Sequence, residues 1–243
     1  MLKDIENWYT SWFDSPFYHI LYKNRDDKEA GLFMENLSSF LKLSPGSTIL
    51  DLACGKGRHS KYLNELGYHV TGVDLSPQSI TYAKKFENDN LFFDEHDMSK
   101  PYPKQFDAVF NLFTSFGYFE KEDDNLKTIK SIKSELKPNG YGVIDFLNSD
   151  FVEKHLVLSE TKIVDGITFF IQREIKDGYI YKNIRFKNNN QEYNFTEKVK
   201  AISLLDFKNY FMEAGVNLKH CFGDYQLNEY NKETSSRLIL IFN

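Results

Sequence analysis

Ile49-Leu50-Asp51-Leu52-Ala53-Cys54-Gly55-Lys56-Gly57-Arg58 runs from a short apolar segment into two closely spaced glycines and then into a polar, helix-compatible stretch. It reads as the first strand of a parallel sheet turning directly into its helix. Glycines at such a turn let the backbone approach a ligand, and the helix N-terminus behind them favours an electron-rich group. A second strand, His69–Val73, is closed by Asp74, where a carboxylate can accept hydrogen bonds from both hydroxyls of an adenosine ribose. The dinucleotide fingerprint asks for a third glycine three residues after Gly57, and Ser60 stands there. Asp51, four residues before Gly55, would repel a pyrophosphate and attract a ligand bearing sulfonium and ammonium charges. The expected cofactor is therefore a positively charged nucleoside without a diphosphate.

Around this turn, short apolar runs alternate with amphipathic ones. Strands are expected at Thr48–Leu52, His69–Val73, Leu91–Phe93, Ala108–Leu112 and Gly142–Phe146, and helices near Arg58–Leu66, Pro77–Glu87 and Asp123–Leu136, the last stopped by Lys137-Pro138-Asn139-Gly140. That alternation argues for a doubly wound α/β sheet covered on both faces. Upstream, residues 1–45 form an aromatic and helical cover, with Trp8, Tyr9, Trp12, Phe13, Phe17, Tyr18 and Tyr22 preceding a helix over Glu29–Leu41. Residues 46–150 form the cofactor-binding core. Over 151–200 the period changes to that of an antiparallel β-meander, Val157–Val164, Thr168–Ile175, Tyr179–Phe186 and Tyr193–Val199, punctuated by Asp165-Gly166, Asp177-Gly178 and Asn188-Asn189-Asn190. This insertion is expected to serve as a substrate cover or a homodimer surface. Residues 201–243 then complete the core with a helix, Leu204–Ala214, and two strand-like runs, Val216–Phe222 and Leu238–Phe242, pairing as a hairpin.

The chain has 243 residues, 41% hydrophobic and 27% charged, with a net charge of −5. This is the composition of a soluble globular protein. No run approaches the roughly 18 apolar residues of a membrane span, and the polar, acidic opening is unlike a signal peptide, so a cytoplasmic location and no membrane partner are expected. The first 150 residues hold 17 basic and 23 acidic side chains and the remainder 13 and 12. Neither part carries the basic footprint of a nucleic-acid binder. The mildly basic set Lys182, Arg185, Lys187, Lys198 and Lys200 reads as a solvated strand face. Cys54 and Cys221 lie far apart with no Cys/His cluster, so neither a disulfide framework nor a metal site is expected.

Four stretches in order carry a resemblance: TILDLACGKGRHSKYLNELGYHVTGVDLSPQSITYAKK from residue 48, HDM at 96–98, FDAVFNLFTSFGYF at 106–119 and LKPNGYGVIDF at 136–146. Together they resemble the class I S-adenosylmethionine-dependent methyltransferases, above all the small-molecule branch that includes amino-sugar N-methyltransferases. The resemblance implies a Rossmann-like seven-stranded sheet and S-adenosylmethionine as cofactor. Position by position it implies that Asp51, Ala53, Gly55 and Gly57 surround the amino-acid end of the cofactor and that Asp74 holds the ribose. Leu75 would pack on the adenine, Asp97 would accept from its exocyclic amine and the Met98 backbone would support the ring. Asn111 would border the methionine moiety, with Phe113 beside the transferring methyl. Lys56 departs from the Ser or Thr commonest between these glycines.

A methyl sulfonium is already activated, so the protein contributes chiefly by positioning the acceptor in line and excluding water. Phe116 and Tyr118, with Phe113, suit an apolar acceptor site. A base is needed only for an acceptor that binds protonated, and the candidates are Tyr118, His19 and His155. Tyr18, Tyr22 and Arg25, together with the meander, are expected to form a lid over the sheet's carboxyl edge. The expected function is methyl transfer to a small-molecule acceptor. The rivals are methylation of tRNA, DNA or a protein side chain, a non-catalytic cofactor-binding module, and a nicotinamide dehydrogenase. Asn111-Leu112-Phe113-Thr114 lacks the paired prolines that nucleic-acid amino-methyltransferases carry at this place.

Overall fold

The computed structural model describes residues 12–13, 15–23, 27–119 and 121–243. Arg25, Trp8 and Tyr9 lie outside the described residues. The chain divides into two units, one joining the first 26 residues to Val152–Ala201 and the other joining Asp27–Phe151 to Ile202–Asn243.

The larger unit is built on a seven-stranded sheet. Its strands in chain order are β1 Thr48–Leu52, β2 His69–Asp74, β3 Leu91–Glu95, β4 Phe106–Asn111, β5 Leu136–Leu147, β10 Leu218–Phe222 and β11 Arg237–Phe242. They lie in the order β10-β11-β5-β4-β1-β2-β3. Strands β1 to β5 are parallel, while β11 runs antiparallel to β5 and β10 antiparallel to β11. The doubly wound fold and the closing antiparallel hairpin are as the sequence led us to expect. Central strands buried on both faces should read as continuous apolar runs, and Ile49, Leu50, Val109, Phe110, Val143, Ile144, Ile239 and Ile241 are fully buried.

Helices α2 Asp27–Phe40, α3 Arg58–Glu65, α4 Pro77–Ala83, α5 Glu122–Glu135, α6 Ser149–His155 and α7 Leu204–Ala214 follow α1 Pro16–Leu21. Local chemistry sets their starts. Ser76 caps α4, with Pro77 in the first turn, and Ser203 and Asp206 form a reciprocal capping box on α7. Several boundaries differ from expectation, two of them by three residues or more, and the helix Ser149–His155 was not expected. The helix foreseen to Glu87 ends at Ala83 and tightens into a 3₁₀ turn over Lys84–Phe86. The Lys137–Gly140 segment is a bulged start of β5, not a free turn: the β4–β5 register shifts between Phe106 and Ala108, and Asn139 takes a φ of 68°.

The smaller unit is a four-stranded antiparallel meander, β6 Ser159–Val164, β7 Ile167–Lys176, β8 Tyr179–Asn188 and β9 Gln191–Lys200. Asp165, Asp177 and the pair Asn189-Asn190 all have positive φ, the conformation that joins strands through tight hairpins. One sheet face carries Phe169, Ile171, Ile184 and Phe186, and against it pack Trp12, Phe17 and Leu21. Trp12 also donates its indole N–H to Glu197 at 2.7 Å, and the Tyr22 hydroxyl donates to the same oxygen at 2.6 Å. The aromatic N-terminal residues thus belong with the meander, whereas α2 packs in the larger unit through Phe33, Met34 and Leu37. The segment read as one cover over 1–45 is divided between two cores. The physical reason is that an aromatic surface packs where complementary apolar area is offered, and the meander supplies Phe186, Tyr193 and Phe195.

Candidate functional site at the carboxyl edge of the sheet

The parallel strands end together where β1 and β4 turn outward, the place at which open α/β sheets bind ligands. Asp51 is the second-to-last residue of β1, almost wholly buried, with its carboxylate accepting from the Ser60 hydroxyl at 2.6 Å. Burial above all, with the nearby Asp74, raises its pKa to about 7 against the lowering effect of the Ser60 bonds. Ala53 follows in the left-handed region at φ 60°, a conformation that L-residues adopt mainly where the surrounding structure over-determines it.

The two glycines have different jobs. At Gly55, φ is 56° and a Cβ would meet nothing within 4 Å, so the backbone there borders open space. At Gly57, φ is 79° and a Cβ would stand 2.5 Å from the Phe93 ring. That glycine serves close packing of α3 against β3. At Gly57 the added atom would point into the core.

Asp74 ends β2, and its two oxygens accept the backbone N–H of Gly55 and of Ser76, each at 2.8 Å. This fixes the carboxylate beside the glycine turn. A carboxylate accepts about four hydrogen bonds in all. Leu75, next in sequence, is 49% exposed, an apolar side chain set out beside an oriented carboxylate. Asp97 accepts from the Ser99 amide at 3.0 Å and hydroxyl at 2.7 Å. Burial pushes its pKa up, but the Ser99 bonds and Lys100 outweigh that and hold it below the ordinary carboxylate range. Met98 offers its sulfur to the Asn111 amide at 3.6 Å. Asn111, at the end of β4, is fully buried. Its amide also donates to Leu52 O at 3.3 Å, while its Oδ1 has no partner among the described residues. An unsatisfied buried amide oxygen beside a strand end is a feature that a ligand donor would relieve.

After β4 the chain makes an uncommon turn. Phe113 and Thr114 are consecutive non-glycine residues at φ 57° and 61°, each costing about 1–3 kcal/mol unless the surroundings enforce it. The Phe113 ring stacks on His59 of α3 at 4.3 Å between centroids, and its edge meets Tyr225 at 5.6 Å. Sequence reasoning missed the groups that hold this turn. Asp145 of β5, fully buried, accepts Phe113 N–H at 2.8 Å on one oxygen and Arg237 Nε at 2.8 Å on the other. Burial leaves the Asp145 carboxyl above its ordinary pKa, against the pull of Arg237, the Phe113 amide and Tyr225. The only available signal was a lone Asp in the apolar run Gly142–Leu147 and a lone Arg opening Leu238–Phe242.

The remaining acceptor-side candidates separate. Phe116 is fully buried and packs on Phe207 of α7 at 5.4 Å, so it faces the core. The Tyr118 hydroxyl donates to Thr114 O at 2.6 Å, committing its proton to the backbone. Tyr18, His19 and Tyr22 lie on or beside α1 in the smaller unit, where Tyr18 packs edge-on against Trp12 and against His19. His155 closes α6 and is exposed. Among the described residues no three His, Cys, Asp or Glu side chains gather as a metal site. Cys54 is buried and Cys221 half-buried, both as free thiols. Among the described residues no helix is long and apolar enough to cross a membrane.

Comparison with known proteins bears on this edge. Residues 49–140 match the family described as "Methyltransferase domain". The chain is 38% identical over 105 residues to "Putative methyltransferase YqeM" of Bacillus subtilis (strain 168), covering 42% of each. It is 30% identical over 156 residues to "Glycine/sarcosine N-methyltransferase" of Aphanothece halophytica, covering 61% of this chain and 55% of that one. The chain thus spans about half the length of the curated relatives it matches. In three dimensions it superposes on SAM-bound CalS10, an amino pentose methyltransferase from Micromonospora echinaspora, with a TM-score of 0.74 at 16% identity, covering 94% of this chain and 96% of that one. At that identity the likeness is one of fold.

Proposed function

On the premise that residues 49–140 carry a methyltransferase domain, we propose that the chain is an S-adenosylmethionine-dependent methyltransferase acting on a small-molecule acceptor. The observation that carries this reading is Asp74, held by the Gly55 and Ser76 amides at 2.8 Å with exposed Leu75 beside it. That arrangement presents a carboxylate for ribose hydroxyls and an apolar surface for a purine.

The residues present fit the cofactor. Gly55 borders open space where a side chain would intrude, and the unpartnered Oδ1 of Asn111 could accept from an ammonium group. Asp51, at the base of the same turn, places a carboxyl where a cationic ligand would favour its ionised form. Bound there, the cofactor supplies an activated methyl on a positive sulfur. The chain's own part is to orient it, to keep the transfer site apolar through Phe113, and to exclude water. With the Tyr118 hydroxyl given to Thr114 O, the reading favours an acceptor that arrives with its electron pair available, such as a neutral amine. The N-methyltransferase relative supports that choice.

Calorimetric titration with S-adenosylmethionine and S-adenosylhomocysteine tests the reading. The wild type should bind both in the micromolar range, and Asp74→Ala should weaken binding by about a hundredfold or more, the loss of two charge-assisted hydrogen bonds. Demethylated cofactor formed in the presence of small amines would complete it. Absence of binding by the folded wild type would end it.

A further inference from the structure

We propose, building on the methyl-transfer reading above, that the ion pair of buried Asp145 and half-buried Arg237 is a positioning device. It holds Phe113 and Thr114 in their left-handed turn and so places the Phe113 ring against His59 at the mouth of the glycine turn. Neither side chain touches the reacting atoms in this account. They act through the backbone of the turn.

The geometry is specific. On the antiparallel β5–β11 pair, Arg237 stands opposite Leu147 and Asp145 opposite Ile239, so Asp145 and Arg237 are diagonal neighbours on one sheet face. One Asp145 oxygen accepts both Nε and Nη2 of Arg237, at 2.8 and 2.7 Å. The other accepts Phe113 N–H at 2.8 Å. The Asp145 carbonyl accepts Thr114 N–H at 3.0 Å, and Arg237 Nη2 donates to the Thr114 hydroxyl at 2.9 Å. The side-chain pair therefore holds the Phe113 amide and the Thr114 hydroxyl, and the Asp145 main chain holds the Thr114 amide.

A stability role does not account for the pair. Breaking a buried ion pair is damaging, but replacing it with packed apolar residues is often neutral or favourable, and Val143, Ile239 and Ile241, on the same sheet face, are all buried and apolar. An apolar pair would keep the bond from Thr114 N–H to the main-chain carbonyl of residue 145, but it could bind neither the Phe113 amide nor the Thr114 hydroxyl of the adjacent loop. The left-handed backbone is the feature that needs those bonds, since threonine, β-branched, takes φ near 60° only under constraint.

The test uses Arg237→Lys, Thr114→Gly, their combination, and Thr114→Val. Three quantities are read: S-adenosylhomocysteine affinity by calorimetry, amide hydrogen exchange over residues 111–118, and melting temperature. Arg237→Lys keeps the charge but loses the fork, and should weaken affinity about tenfold and speed exchange at Phe113 and Thr114. Glycine adopts a positive φ unaided, so the double variant should return to within about threefold of wild-type affinity while its melting temperature stays depressed. A purely structural role predicts no such rescue. Thr114→Val removes only the hydroxyl anchor, and should speed exchange with the melting temperature unchanged, which decides the matter if Arg237→Lys does not fold. The proposal is overturned if Arg237→Lys leaves affinity and exchange unchanged, or if the double variant binds as weakly as the single. If the wild type binds neither nucleoside, the methyltransferase reading fails by itself, and the exchange at Phe113 and Thr114 still reports whether the pair holds the turn.

Discussion

Asp51 is a carboxyl cut off from water, with the Ser60 hydroxyl as partner and Asp74 near enough to oppose its ionisation. Its pKa rises from 3.8 to about 7 in the folded chain. The folded state therefore holds a proton that the unfolded state releases, so this group's contribution to stability is complete below about pH 3.8 and lost as pH rises through about 7. A cationic ligand binds the ionised form better, so S-adenosylmethionine affinity should rise about tenfold between pH 6 and 8 in the wild type and stay flat in Asp51→Asn. Titration calorimetry at the two pH values checks this. The melting temperature of the ligand-free wild type should fall over the same interval, and only partly less in Asp51→Asn, because burial also raises Glu135 to about 7. Asp51, Asp74 and the paired glycines were legible because their meaning lies in local spacing. Gly57 was legible as a glycine and not as to its reason, since Phe93, 36 positions on, fills the space. Asp145 and Arg237 were legible only as lone charges beside apolar runs and not as a pair, because 92 positions separate them and only strand pairing brings them together.

At the scale of elements, what periodicity could decide it did. The four meander strands fall close to where alternation and turn residues put them, because a two-residue hairpin with Asp-Gly fixes register locally, and so do the parallel strands except β5, which starts six residues early. What periodicity could not decide was the partner of an aromatic face. The Trp12 ring lies 4.5 Å from Phe195 and its N–H reaches Glu197, a docking choice made by tertiary fit. Glu197 also pairs with Lys182, which lies over the Tyr22 ring at 4.5 Å. Trp12→Ala should therefore cost about 3–5 kcal/mol, and local to one unit. Hydrogen exchange is the check: protection should fall in β7, β8 and β9 and persist in β1, β4 and β5. Uniform loss across both sheets would contradict that localisation.

For the molecule as a whole, charge sets what it can approach. A net charge of −5 gives no electrostatic attraction for a phosphate backbone. Any binding of a mixed-sequence RNA seen by fluorescence anisotropy at low salt should vanish by physiological salt, and persistence there would reopen methylation of a macromolecule.

The smaller unit is discontinuous along the chain, since Trp12 finds Glu197 185 positions later and residues up to Phe151 belong to the other unit. During synthesis at about 5–20 residues per second, Trp12 and Phe17 must wait about 10–40 s for their partners to emerge. Within that interval the parallel strands β1 to β5 are made, β5 has no β11 at its side, and the apolar N-terminal side chains have no partner surface. The order of manufacture thus exposes this chain to aggregation and chaperone capture in a window that its finished fold gives no sign of.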